Sequence, residues 1–253
     1  MDKRAFIRSL GGGLAAVAFG DRLWARYAAI PAPDLAVDED FWATVRGQYR
    51  LTSDYINLEN GYYAMQSQPV LEAFIGRVRE LNFRASRYLR TDQFKDKDAV
   101  RDRLAALAGC APEELIITRN TTESLDTVIS GFDWKPGDEA VMAAQDYGAM
   151  LDMFALQARR YGMVPRIVSL PLDPASDEEI VRLYEGAITP KSRLLMVCQM
   201  VNITGQILPV AKVADMAHRH GVQVMVDGAH TFAQLDFKIP DLHGDYFGTS
   251  LHK

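Results

Sequence analysis

Val222-Gln223-Val224-Met225-Val226-Asp227-Gly228-Ala229-His230, and after it Tyr246-Phe247-Gly248-Thr249-Ser250-Leu251-His252-Lys253, form the stretch around which the chain is organised. The valine-rich run before Asp227 has the character of a buried parallel strand. In a sheet of such strands, ligands collect in the crevice at the carboxyl ends, which is where Asp227 stands. A second short run, Tyr246 to Thr249, leads to Lys253. Two neighbouring strand ends would therefore present an acid and an amine to one pocket. Unpaired carboxylates are rarely buried, so an aspartate ending an apolar strand calls for a cationic partner.

Upstream the same grammar repeats. Leu115–Thr118, Glu139–Met142, Val164–Leu170, Leu194–Val197 and Val222–Val226 are strand candidates, separated by helical runs near 121–131, 149–160, 176–187 and 209–220. Regular alternation of this kind predicts a mostly parallel sheet with crossover helices on both faces, a three-layer α/β/α domain. Before it, residues 38–50 have a helical look, Tyr55–Leu58 reads as a short strand, and Pro69–Leu89 and Lys97–Ala108 read as helices, the second ended by Gly109. Arg84, Arg87 and Arg90 read as one solvated helix face.

The chain has 253 residues, 48% hydrophobic and 24% charged, ordinary globular material for one large or two modest domains. A net charge of −5 without a long basic run argues against nucleic acid or an anionic membrane surface as the main partner. A small-molecule substrate is the expectation. Cys110 and Cys198 make neither a disulfide framework nor a ligand cluster, and both read as small core residues. His218 and His220 close an amphipathic helix before Gly221 and read as helix-end charges; no metal is expected. No Gly-x-Gly-x-x-Gly follows a strand, which disfavours a dinucleotide-binding dehydrogenase.

The N-terminus reads separately. Asp2-Lys3-Arg4-Ala5-Phe6-Ile7-Arg8 precedes a mild apolar run from Leu10 to Phe19, too short to span a bilayer. Residues 1–27 are expected to be an export signal, with a basic pair of twin-arginine type in which lysine replaces the first arginine, sending the protein to the periplasm. A frayed amphipathic helix on a cytoplasmic protein is the alternative. Residues 28–37, with Pro31-Ala32-Pro33, read as linker.

Four strand ends carry unusual residues. After Thr118, Arg119-Asn120-Thr121-Thr122-Glu123-Ser124 opens a helix whose free N–H groups and hydroxyls suit a phosphate, or simply make an N-cap. After Met142, Gln145-Asp146-Tyr147 offers a flat ring for stacking on a planar ligand, or a core tyrosine. After Cys198 comes Gln199-Met200-Val201-Asn202-Ile203-Thr204-Gly205, where Asn202 is a ligand contact or a turn former. The fourth is Asp227-Gly228-Ala229-His230. Asn60, in Glu59-Asn60-Gly61, is a further contact candidate or an Asn-Gly turn.

Asp-Gly-Ala-His and Ser-Leu-His-Lys at this separation, with Thr-Thr-Glu upstream, resemble the class V aminotransferase family of fold type I pyridoxal phosphate enzymes, which includes cysteine desulfurases, isopenicillin N epimerase and kynureninase. The resemblance covers roughly residues 40–253. It implies pyridoxal 5'-phosphate as cofactor, Lys253 as its Schiff-base lysine and catalytic base, and Asp227 facing the pyridine nitrogen. It further implies Thr121, Thr122, Ser250 and His252 as the phosphate cup, Tyr147 stacking on the ring, Asn202 and His230 near the ring oxygen, and Asn60 contacting substrate. The implied organisation is an N-terminal segment of an incomplete small domain with an active-site loop over residues 38–68, and a cofactor-binding large domain over 69–253. The substrate is an amino acid, and the full-length protein is expected to be a homodimer.

Tyr147 and His230 look closer to the epimerase or aminotransferase branch; a desulfurase or other lyase is the alternative, and a noncatalytic remnant of the fold is the third. The family's carboxylate-binding arginine and desulfurase cysteine lie beyond the lysine. A chain ending at Lys253 would correspond to about three fifths of a member, lack the strand that follows the lysine, leave Thr118 without a neighbour, and bind the cofactor weakly.

Overall fold

The computed structural model describes residues 25–253, so the expected export signal, which begins at Met1, lies almost wholly outside the described residues. The chain divides into two compact units, one ending at Leu115 and the other spanning Ile116–Lys253.

In the first unit, short helices α1 (Ala32–Ala36) and α2 (Glu39–Arg46) enclose a small core of Tyr27, Leu35 and Phe41. Asp38 caps α2 by accepting from Phe41 N at 2.9 Å, and acidic Glu39 and Asp40 in the first turn suit its positive end. Helices α3 (Gln68–Thr91) and α4 (Gln93–Ala108) follow. Pro69 starts α3, Ala85 at φ 46° interrupts it, and Gly109, in the left-handed region at φ 79°, ends α4. No residue of α3 is buried, and Val70, Phe74, Val78 and Leu81 form an exposed apolar stripe along it. Tyr55–Leu58, expected as a strand, has no regular structure. Its residues find no partner ladder among the described residues, and an isolated strand cannot satisfy its backbone groups.

The second unit follows the expected alternation. Helix α5 (Thr121–Gly131) leads to β1 (Glu139–Ala143), α6 (Gly148–Tyr161), β2 (Val164–Val168), α7 (Asp177–Glu185), β3 (Ser192–Cys198), α8 (Val210–Arg219), β4 (Gln223–Asp227) and β5 (Tyr246–Gly248). The strands form one parallel sheet in the order β2-β1-β3-β4-β5. Strand alternation sorts the core into two layers. Val141, Leu195, Val197, Val224 and Val226 face α7 and α8, packing with Ile180, Tyr184, Val213 and Met216. Ala140, Met142, Leu194, Met196 and Met225 face α5 and α6, packing with Leu125, Ile129, Met150 and Phe154. Helices thus cover both faces, the three-layer α/β/α arrangement read from the sequence.

The expected strand at Leu115–Thr118 is a difference. These residues are irregular, Ile116 is 84% exposed, and β5 pairs with β4 alone. Alternating apolar residues make a strand only where a neighbouring ladder accepts them, and none does so here among the described residues.

Candidate active site

The strand register sets the geometry. Cys198 of β3 pairs with Asp227 of β4, and Asp227 pairs with Gly248 of β5, so the carboxyl ends of the three strands are level. The segments leaving them carry Asn202, His230 and Ser250 to the same end of the sheet. Two glycines permit the close packing. A Cβ on Gly228 would stand 2.2 Å from Phe247 Cζ, and one on Gly248 would stand 2.6 Å from Leu125 Cδ2. Gly248 lets α5 lie against the sheet. The start of α5 thereby comes within bonding distance of Ser250.

That contact is direct. Ser250 Oγ accepts from Thr121 N at 3.0 Å and lies 2.6 Å from Thr121 Oγ1, both residues being buried. The N-cap of α5 is Asn120, whose Oδ1 accepts from Glu123 N at 2.9 Å. Thr121 and Thr122 are therefore the first two residues of the helix, and their hydroxyls are not needed to cap it. A helix N-terminus lined by two threonine hydroxyls and a serine is suited to a phosphate.

Asp227 is buried, with Oδ1 accepting from Ala229 N at 2.9 Å. Burial pushes its carboxyl up from the ordinary value, while the Ala229 N–H and the Lys253 charge pull it back. A carboxylate in this position gains from a cation brought to it, as the sequence reading requires. The turn after it is locked by Thr231, whose hydroxyl donates to Gln199 Oε1 at 2.6 Å and to Gly228 O at 3.2 Å, and by Thr249, which donates to Gly228 O at 2.8 Å. Lys253 Nζ lies 3.3 Å from His230 Nε2. These two half-buried side chains meet at the mouth of the site.

The remaining candidates make none of these hydrogen bonds. Tyr147, the residue preceding α6, is 42% exposed. Asn202 is exposed in the tight loop between Val201 and Gly205, which Gly205 closes at φ 73°. Thr122 is half-buried, His252 is exposed, and Asn60, also exposed, belongs to the first unit and bonds to Asn57 at 3.3 Å.

Sequence reading passed over Gln199, Thr231 and Asp146. The first two are buried polar residues that hold the Asp227 turn. Asp146 is buried beside Tyr147, its Oδ2 accepting from Ala143 N at 2.8 Å and its Oδ1 without a partner. Its signal was present: it is an acid just past an apolar strand, the same pattern that marked Asp227. Of the thiols, Cys198 is buried and donates to Met200 O at 2.9 Å, and burial raises both it and Cys110 above the ordinary thiol range. Neither is an activated nucleophile. Among the described residues no group of His, Cys, Asp and Glu could hold a metal ion, and no helix is long and apolar enough to cross a membrane.

The sequence profile described as aminotransferase class-V matches residues 64–253. An isopenicillin N epimerase from Amycolatopsis lactamdurans is 32% identical over 219 residues, which cover 84% of this chain and 54% of that one. The cysteine desulfurase CsdA of Escherichia coli is 30% identical over 223 residues, covering 83% and 54%. Its crystal structure superposes with a TM-score of 0.69 at 27% identity over 83% of this chain and 54% of that one. C-DES, solved with glycine covalently linked to its PLP cofactor, gives a TM-score of 0.74 over 82% and 55% of the two chains, a likeness of fold at 24% identity. The chain spans about half the length of the curated relatives it matches.

Proposed function

The chain belongs to the aminotransferase class-V family, and from that premise we propose that it serves a pyridoxal 5'-phosphate-dependent enzyme acting on an amino acid through Lys253, of the epimerase or aminotransferase kind. The observation that carries the reading is the convergence, at one end of the sheet, of a buried carboxylate at Asp227, an amine at Lys253 and the Thr121–Ser250 start of α5. These residues fit the cofactor. Asp227 has a single backbone donor and a carboxyl raised by burial, so it is short of a cation, which a protonated pyridine nitrogen supplies. Thr121, Thr122 and Ser250 offer hydroxyls and a helix N-terminus to the phosphate.

When bound, pyridoxal phosphate supplies an electron sink for the pair left as a bond to the amino acid's α-carbon breaks. The chain's own residues do the rest. Asp227 holds a proton on its cationic partner by its negative charge. Lys253 Nζ takes and returns the α-proton as general base and acid, and His230 at 3.3 Å orients that amine. Tyr147 presents a ring for stacking, and the Gln199–Thr231 bond keeps the Asp227 turn in place. Epimerisation requires a proton delivered to the opposite face by a second acid, whereas a proton returned by Lys253 away from the α-carbon gives transamination.

The 30% identical desulfurase CsdA supports a second reading, a lyase that removes a β-substituent. Tyr147 and His230 favour the first. Two further parts of the reading rest on separate features. The charged start and short apolar run of residues 2–19 support export to the periplasm. The exposed apolar stripe of α3 supports a homodimer, which sedimentation would test. Recovery of the protein from the cytoplasm alone would overturn the first, and a monomer at working concentration the second.

The central test is the visible absorption spectrum after pyridoxal phosphate is added and excess removed. A band in the parent that Lys253→Ala abolishes is the expected outcome. No band in the parent refutes the reading, and an amino-acid-dependent activity that survives Lys253→Ala refutes the role of the lysine.

A further inference from the structure

Behind Tyr147 lies a group of buried polar atoms that the proposed chemistry does not use. Asp146 closes the β1–α6 turn twice over: its N donates to Ala143 O at 3.1 Å, and its Oδ2 accepts from Ala143 N at 2.8 Å. Gln145 ties the same turn to the end of β2 through Leu170, donating to its O at 2.9 Å and accepting from its N at 3.1 Å. The other oxygen of Asp146, Oδ1, is buried with no partner, and so is the hydroxyl of Tyr184 on α7. Orphaned buried polar atoms are uncommon in packed cores and call for an explanation.

We propose that Asp146 is a positioning residue of the ring-binding site: through its two hydrogen bonds to Ala143 it locks the turn that presents Tyr147. The inference rests on the proposed function and deepens it.

The surroundings of Asp146 favour its protonated form, which still accepts from Ala143 N through Oδ2. Its carboxyl is pushed up to about 8, by burial first, with the Ala143 N–H opposing and the Asp227 charge adding. The ionisable groups that bear on it are Asp227 on β4, Tyr184 on α7 and Cys198 on β3; burial raises each of them as well. No cation among them compensates an ionised Asp146. Its neighbour Tyr147 leads directly into α6, so the direction of the ring follows from the turn that Asp146 closes.

The experiment compares the parent with Asp146→Asn and Asp146→Ala. Amide hydrogen exchange over residues 143–148, without ligand, reads the turn; the dissociation constant for pyridoxal phosphate, by absorbance titration, reads the site. Asparagine keeps an oxygen for Ala143 N, so it is expected to bind as the parent does and to exchange no faster. Alanine is expected to speed exchange and to weaken binding about tenfold, the upper range of a lost aromatic stack. Alanine that binds as the parent does overturns the positioning role. Asparagine as weak as alanine overturns it too, because the amide oxygen can still accept from Ala143 N. A parent that takes up no pyridoxal phosphate refutes the proposed function and the ring-binding role with it, while unchanged exchange in the alanine variant refutes the turn lock independently.

Discussion

Replacing Asp146 by asparagine should stabilise this protein, and the size of the gain should depend on pH in a defined way. In the unfolded chain Asp146 loses its proton near the ordinary 3.8, whereas in the fold it keeps it up to about 8. Between those values the unfolded state is the one that releases the proton, so stability from this group is full below about 3.8, falls as pH rises, and levels off above about 8. The full cost at pH 7 would be about 4 kcal/mol if nothing relaxed. Relaxation of the fold and the need to accommodate the Asn amine reduce the expected gain to about 1–3 kcal/mol. The assay is urea unfolding of parent and variant without ligand, at steps from about pH 5 to pH 9. The difference between the two should grow by up to about 1.4 kcal/mol per pH unit toward neutrality and then flatten. A difference that does not change with pH, or a variant less stable than the parent at neutral pH, would refute the picture of a buried neutral acid.

Two other perturbations test the packing that assembles the site. Gly228→Ala places a Cβ 2.2 Å from Phe247 Cζ, so it should destabilise by about 1–3 kcal/mol and lower the melting temperature by several degrees, read by calorimetry; an unchanged melting temperature would mean that the Phe247 ring moves freely. Ser250→Ala removes the acceptor of Thr121 N and its hydroxyl partner, at a cost of about 1–2 kcal/mol in stability. It should also weaken pyridoxal phosphate binding several-fold by titration, and full retention of affinity would remove Ser250 from the phosphate cup.

Much of this protein was legible as sequence because its signals are local. Valine-rich runs spaced by amphipathic helices are sufficient to predict a parallel sheet covered on both faces, since no other arrangement buries such strands while returning the chain in the same direction. Asp227 and Lys253 stood out because each ends a short apolar run, and strand ends are where parallel sheets bind ligands. Two expected strands did not form. The apolar runs at Tyr55–Leu58 and Leu115–Thr118 describe a side-chain pattern, but a strand also needs a neighbour for its backbone, and a neighbour is a property of the whole chain.

The tertiary structure decided everything that depends on separate segments meeting. Residues 121 and 250 share a hydrogen bond because Gly248 admits Leu125 to the face of the sheet, and no local pattern at either threonine or serine announces that contact. Asn120, rather than a threonine, caps α5, which frees the hydroxyls of Thr121 and Thr122. Asp146 and Asp227 have the same sequence signature, an acid at the end of an apolar strand, yet Asp227 feels the Lys253 charge, which opposes the upward push of burial, and Asp146 feels the Asp227 charge, which adds to it. Sequence names the ionisable group, but the dielectric and the charges around it exist only once distant strands and helices have closed over it.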